Sequence, residues 1–479
     1  MSLLQNTMAK SGGDFYNGVA TQSLRMDYGS NPNLNITNSG APTLNTKGTL
    51  SFWYKRGIQG SGTGQHQYLI QTGAGTSDNG YMDLKIETGD VFSIGAYGTT
   101  PFESTRKIRD GSSWYHIVVA FDSTSGTASS RLIKVYINSE LQTNTGSNNA
   151  VAQNQQFPWI NASQAIYIGR HTTVNRPMDG YLAEWNLIDG QALAPTSFGE
   201  TKNGVWIPIK YTGTYGDNGA RLKFDQVGVG TASTSTIGAD TSGNTNHWTS
   251  SGIAASDCAM PDSPENNFPT MNPLKVPTSN LATLSEGNLK CVGPAPGTPT
   301  VLSTMAIPTS GKWYAEFERT AQYNGVGIVK DSIANLAVHA GVDANGYVYY
   351  DTGGAKYNNN SSASYGSAWS NGDIIGIAYN ADDGELTFYK NNSSDGVAYS
   401  SLAGEFHFCW SDMGNNSTPA GVWNFGSDSS FAGNSTAQGN TDGNEIGDFF
   451  YTPPSGFLAL CTANLPEPTI GPNSTSQAD

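Results

Sequence analysis

Gly372-Asp-Ile-Ile-Gly-Ile-Ala-Tyr-Asn-Ala-Asp-Asp-Gly-Glu-Leu-Thr-Phe-Tyr-Lys-Asn-Asn392 decides the fold of this chain. Ile374 to Tyr379 is a nearly continuous apolar run, the pattern of a strand covered on both faces. Asp382, Asp383 and Gly384 accept a tight turn. Leu386 and Phe388 then alternate with Thr387 and Tyr389, so the chain returns as a second strand that Asn391 and Asn392 end.

Outward from this hairpin lie Gly311-Lys-Trp-Tyr-Ala-Glu-Phe-Glu318, Gly325 to Val329, Gly346 to Tyr350, Phe406 to Trp410 and Val422 to Gly426. Together with the hairpin, these pieces resemble SPRY domains over residues 308–463, which implies a concanavalin-A-like β-sandwich. The chain departs from that family at Ser427 to Asp448, a polar, low-complexity stretch ahead of Phe449-Phe-Tyr-Thr-Pro-Pro-Ser-Gly-Phe457. A surface tip or lid is expected there.

A second module precedes it. Short alternating segments recur at Thr49 to Lys55, Tyr81 to Ile86, Val91 to Tyr97, Trp114 to Phe121, Ile133 to Asn138, Ala165 to Gly169 and Gly180 to Ile188. In Tyr81 to Ile86 the period of two puts Met82, Leu84 and Ile86 toward a core and Asp83 and Lys85 toward water. The ordered set Leu50-Ser-Phe-Trp-Tyr-Lys55, Trp114-Tyr-His-Ile-Val-Val-Ala-Phe-Asp122, Val135-Tyr-Ile-Asn138 and Ile166-Tyr-Ile-Gly-Arg170, followed by Met178-Asp-Gly-Tyr-Leu-Ala-Glu-Trp185, resembles laminin-G-like jelly rolls over residues 15–200. The calcium ligands of that family have no placeable counterpart here. Residues 201–307 are rich in Gly, Ser and Pro and read as a semi-rigid connector with minor strand structure, such as Ala220 to Asp225. The expected organisation is an N-terminal arm (1–14), the laminin-G-like domain (15–200), the connector (201–307), the SPRY-like domain (308–463) and a tail (464–479). The fold class is all-β.

Composition agrees with that class. The 479 residues include 57 glycines, only 13% are charged, and no long helical period is present. A net charge of -15 argues against nucleic acid or an anionic membrane surface as partner. No apolar run is long enough to span a bilayer, and the start lacks a basic region followed by an apolar one, so no secretion signal is expected. Cys258, Cys291, Cys409 and Cys461 show neither a Cys-x-x-Cys pair nor a His at ligand spacing, which reads as four free thiols.

Catalytic constellations are weak. Glu316 and Glu318 lie two apart on one strand and share a face, a spacing that suits a carboxylate pair, yet a solvated outer face beside core residues Trp313, Ala315 and Phe317 is the preferred reading. The six histidines are scattered, without a zinc motif or a nucleophile elbow. His171, in a turn with Arg170 and Arg176, is the one with a ligand role in view. The Asp78-Asn-Gly, Asp343-Ala-Asn-Gly and Asp382-Asp-Gly turns complete no calcium loop, so neither metal nor cofactor is assigned. Aromatic residues in loop contexts, Tyr97, Trp159, Tyr357 and Tyr365, are candidate stacking surfaces for sugars, with a packed loop anchor as the alternative.

Asp179-Gly-Tyr with Ile188-Asp-Gly-Gln-Ala-Leu-Ala-Pro-Thr-Ser-Phe-Gly199, then Trp206-Ile-Pro, Asn246-His-Trp248 and Leu460-Cys-Thr-Ala-Asn-Leu-Pro466, resemble structural proteins of tailed bacteriophages, marine ones in particular. The resemblance implies a non-enzymatic virion component, a tail fibre or other surface appendage. It would be made in the host cytoplasm, assembled as a homo-oligomer with a trimer favoured, partnered by other virion proteins and suited to a host-surface glycan or receptor. A purely architectural capsid or fibre protein is the alternative, and a glycan-degrading enzyme a third reading.

Overall fold

The computed structural model describes residues 15–58, 66–73, 77, 79–96, 99–146, 151–173, 176–277, 279–414 and 416–465. Among them every long element is a strand, short 3-10 turns are the only helical pieces, and no helix is long and apolar enough to cross a membrane. The described chain divides into two compact units, with the change between Glu265 and Asn266.

The first unit is a sandwich of two antiparallel sheets. One runs in the order Leu24–Met26, Gly180–Asp189, Lys47–Arg56, Trp114–Asp122, Lys134–Ile137, Glu140–Leu141, with Ala220–Leu222 also paired to Gly180–Asp189. The other runs Thr249–Ser251, Asn33–Thr37, Ala165–Ile168, Gln67–Thr72, Met82–Ile86, Val91–Ala96, Thr99–Lys107. Alternation places Leu50, Phe52 and Tyr54 from the first sheet against Leu84, Ile86 and Ile94 from the second in one apolar core. Burying such side chains contributes about 1.5–3 kcal/mol each.

The second unit repeats the architecture. Its larger sheet orders Thr283–Ser285, Lys290–Val292, Ala420–Asn424, Lys312–Ala321, Ile374–Asn380, Glu385–Lys390, Ser393–Tyr399, and Leu458–Ala459 joins Lys312–Ala321 in parallel. The facing sheet orders Thr300–Leu302, Phe406–Asp412, Asn324–Lys330, Gly346–Tyr350, Ala355–Asn358, Ser361–Ser364. The hairpin read from the sequence is present: Ile377 pairs with Phe388 and Tyr379 with Leu386. Its turn is closed by Asn380 Nδ2 donating to Asp383 at 2.6 Å, with Gly384 at φ +66°. Ile374–Asn380 is buried on both faces because Phe268, Phe449, Ala459 and Cys461 cover the side away from the main core.

Two expectations are corrected here. Residues 201–307 form no separate connector, because their segments are strands and core of the units themselves. Leu222, Phe224, Ile237 and Trp248 lie in the first core, and Met271, Leu289, Val301 and Ile307 lie in the second. The stretch Ser427 to Asp448 is not simply a polar tip. It is buried from 427 to 431, with Phe431 fully so, and only its later part is largely exposed. Asn424 Oδ1 fixes its start by accepting from the amides of Gly426, Ser427 and Asp428 at 2.8, 2.9 and 3.0 Å. The arm 1–14 and most of the tail lie outside the described residues.

Candidate binding face of the first sandwich

On the outer side of the second sheet, the Met82–Ile86 strand presents Asp83 and Lys85, as its alternation requires. Neither faces open water: Asp83 is 1% exposed and the Lys85 side chain 13%. Asp83 accepts from Tyr81 Oη at 2.6 Å, Lys85 Nζ at 3.2 Å and the Gly95 amide at 3.1 Å. That last contact needs glycine, since a Cβ on Gly95 would stand 2.6 Å from an Asp83 oxygen. Lys85 also approaches Glu87 at 3.6 Å and lies 5.5 Å from the centre of the Tyr68 ring. Burial works against its charge, but Asp83, Tyr68 and Glu87 outweigh it and hold Lys85 above the usual lysine value. Glu87 accepts from Ser93 Oγ at 2.6 Å and pairs with His66.

The turn after Ala165–Ile168 lies against this network. His171 packs edge-on to Tyr68 at 4.6 Å, and the Thr172 amide donates to Gln71 Oε1 at 2.9 Å. His171 Nδ1 accepts from the Thr173 amide at 3.1 Å, so the imidazole carries its proton on Nε2 when neutral. Burial and the neighbouring Arg176, Lys85 and Arg170 lower its pKa against the pull of Asp83, which keeps the ring neutral around pH 7. Arg170 lies over Tyr167 at 6.0 Å and ties its own turn by donating to the carbonyls of His171 and Thr172 at 3.2 and 3.4 Å. Arg176 accepts from the Tyr68 amide through its carbonyl at 3.4 Å and reaches the Tyr68 hydroxyl. The result is a half-exposed rim of Tyr81, Tyr167, Arg170, His171 and Arg176 around a buried, hydrogen-bonded centre. A rim of this kind offers ring faces, guanidinium donors and a neutral imidazole, all of which act on a ligand by hydrogen bonding and stacking.

Three of the residues singled out in the sequence, Arg170, His171 and Arg176, therefore come together. Tyr97 lies outside the described residues. Trp159 is corrected from exposed ring to core anchor: it is fully buried, donates from Nε1 to the Met82 carbonyl at 3.0 Å and packs on Phe157 at 5.1 Å. In the second unit Tyr365 takes the anchor role by accepting from the Phe388 amide at 3.2 Å and packing on Tyr349 at 5.1 Å. Tyr357 sits edge-on to His339 at 6.0 Å and to Tyr350 at 5.8 Å, and its carbonyl accepts from Tyr399 Oη at 2.8 Å. Sequence reading passed over Tyr68, Gln71, Tyr81, Asp83, Lys85 and Glu87. Their only signal was an outward register, which fits plain solvation as well.

The carboxylates Glu316 and Glu318 are not on a solvated face either; they are 0% and 4% exposed. Glu316 accepts from the amides of Phe450 and Tyr451, both at 2.8 Å, from Asn424 Nδ2 at 3.1 Å and from Tyr314 Oη at 3.3 Å. Ser435 Oγ donates to Glu318 at 3.2 Å. Both side chains fasten the covering segment to the sheet. Among the described residues no three His, Cys, Asp or Glu side chains gather as a metal-ligand set, and the four cysteines are free and buried.

The comparisons with known proteins bear on both units. The concanavalin A-like lectin/glucanases superfamily matches residues 28–197, and the SPRY domain matches residues 312–419. The crystal structure of the SPRY domain of human HERC1 is similar at 16% identity and a TM-score of 0.29, the match covering 33% of this chain and 97% of that one. No curated protein matches. The chain carries a concanavalin A-like, laminin-G-type domain followed by a SPRY domain, two modules of the binding type.

Proposed function

We propose that the chain is a non-enzymatic structural protein of a bacteriophage virion, a tail fibre or other surface appendage, whose first sandwich attaches the particle to a glycan on the host surface. The observation that carries the attachment role is the rim of Tyr81, Tyr167, Arg170, His171 and Arg176 on a lectin-like sandwich, held in place by the buried Asp83–Lys85–Tyr68 network. A prepositioned rim loses little side-chain entropy when a ligand arrives. The virion location is supported by the sequence resemblance. Assembly as a homo-oligomer, a trimer in the favoured form, would repeat the rim and add weak contacts into firm attachment. The N-terminal arm, residues 1–14, is the proposed anchor to the particle.

The test has two arms. Mass spectrometry and labelled imaging of purified particles should find the chain on the virion exterior. The purified protein should bind host-surface polysaccharide, and Arg176→Ala should weaken that binding about tenfold, the scale of an interface arginine, without release of reducing ends by either form. A chain missing from virions overturns the location, and binding indifferent to Arg176→Ala overturns the rim.

A further inference from the structure

The first unit holds another opening, a cavity of about 390 Å³ that the rim residues do not line. Its polar lining is Ser77 and five amides: Asn45 ahead of Lys47–Arg56, Asn79 in the turn before Met82–Ile86, and Gln156, Asn161 and Gln164 around the Pro158–Ile160 turn, with Pro42 as an apolar facet. Among the described residues, none that lines it carries a charge.

Part of this lining is rigid. Asn161, 6% exposed, donates from Nδ2 to the Asn79 carbonyl and to Gln156 Oε1, both at 2.8 Å, while the Gln156 amide donates to Asn79 Oδ1 at 2.9 Å. These bonds fix which way the Asn161 amide points and leave its Oδ1, a buried acceptor, with no partner among the described residues. The segment is held from below, because the Phe157 amide donates to the Asn45 carbonyl at 2.6 Å and Trp159 is bonded to Met82. Two other amides, Asn45 and Gln164, are half-exposed and have no side-chain hydrogen bond among the described residues. A carboxamide is both donor and acceptor without charge, which is what a pair of vicinal hydroxyls asks of a binding group. The volume falls in the range of about 300–1,000 Å³ typical of small-ligand sites.

We infer that this amide-lined cavity is a binding site for a neutral saccharide, a hexose or short uncharged oligosaccharide taken without a metal ion. Anionic sugars gain nothing from the described lining, which holds no cation, and the chain as a whole is at -15. The inference shares a ligand class with the proposed function but does not need the Arg170–Arg176 rim or a virion location.

The full chain should be titrated with maltotriose, lactose, xylobiose and methyl α-mannopyranoside by calorimetry and saturation-transfer NMR, with sialyllactose as the anionic comparison. At least one neutral sugar should bind saturably, and sialyllactose at least tenfold more weakly. The double variant Asn45→Ala/Gln164→Ala should lose at least tenfold in affinity with an unchanged melting temperature, and Arg176→Ala should bind as the parent does. Ala162→Phe, which fills the cavity and removes no hydrogen bond, should abolish binding and gives the same reading should the double variant fold poorly. Absence of saturable binding by all four neutral sugars overturns the assignment, and so does parental affinity in both cavity variants. Loss of binding in Arg176→Ala alone would place the sugar on the rim instead.

Discussion

Glu316 shows how a buried carboxylate can fasten a covering segment to a sheet. Burial pushes its pKa up to about 7, against the amides of Tyr451 and Phe450, Asn424 and Tyr314, whose hydrogen bonds favour the charge. A folded value above the unfolded one means the native state holds more protons between about 4.5 and about 7. The contribution of Glu316 to stability therefore rises as pH falls from about 7 toward 4.5 and is lost again as pH rises. The partly buried His339 and His407 have lowered pKa values and pull the other way, so the informative quantity is the difference between parent and variant. Urea unfolding of the parent and Glu316→Gln from pH 5 to pH 8 should show the parent's relative advantage shrinking as pH rises. The variant should also cost about 1–3 kcal/mol, because the new NH2 group leaves one of two backbone amides without its acceptor. A difference that does not change with pH would show that Glu316 keeps its charge in the fold.

At the scale of elements, what was legible depended on length and register. The hairpin of Ile374–Asn380 and Glu385–Lys390 declared itself because six or seven residues carry a full pattern. Thr249–Ser251 and Thr300–Leu302 are three residues each, too short for any period to speak, and Ala220 to Asp225 reads as a strand but not as part of a sheet, so strands integral to both sandwiches read as connector. The alternation of Met82–Ile86 predicts its register, and the structure keeps it, but the outward side is covered and not wet. The residues that cover it, Tyr68 and His171, come from other strands and turns, and no local pattern predicts such a partner. The same holds for Ser427 to Asp448, whose polar composition hides Phe431. This ring is fully buried in the second core, 6.1 Å from Phe450. Phe431→Ala should destabilise the second unit by about 3–5 kcal/mol in urea unfolding, the usual cost of emptying a buried aromatic site. A residue on an exposed tip would cost under about 0.5 kcal/mol, and that result would restore the lid reading.

For the whole molecule, the division between Glu265 and Asn266 is drawn by hydrogen bonds of adjacent residues. Glu265 accepts from the amides of Gly18, Val19 and Ala20 at 3.0, 2.7 and 2.9 Å, closing the first unit onto its own beginning. Asn266 Oδ1 accepts from the Ala463 amide at 3.1 Å and the Asn267 carbonyl from that of Thr462 at 3.0 Å, closing the second unit onto its own end. Each unit thus joins its termini, an arrangement common in domains that fold alone. Fragments 15–265 and 266–465 should each be soluble and unfold cooperatively, as followed by circular dichroism and differential scanning calorimetry. Fragments cut where the sequence resemblances end, 15–200 and 308–463, should not. The first would lack Leu222, Phe224, Ile237 and Trp248, and the second Met271, Leu289, Cys291 and Val301, all 0 or 1% exposed. Removing even one large buried side chain costs about 2–5 kcal/mol, and a domain's whole stability is about 5–15 kcal/mol, so losing four or more leaves nothing to hold the sandwich. If 15–200 melts at the same temperature as 15–265, residues 201–265 only decorate the first sandwich, and the boundary belongs where the family match ends.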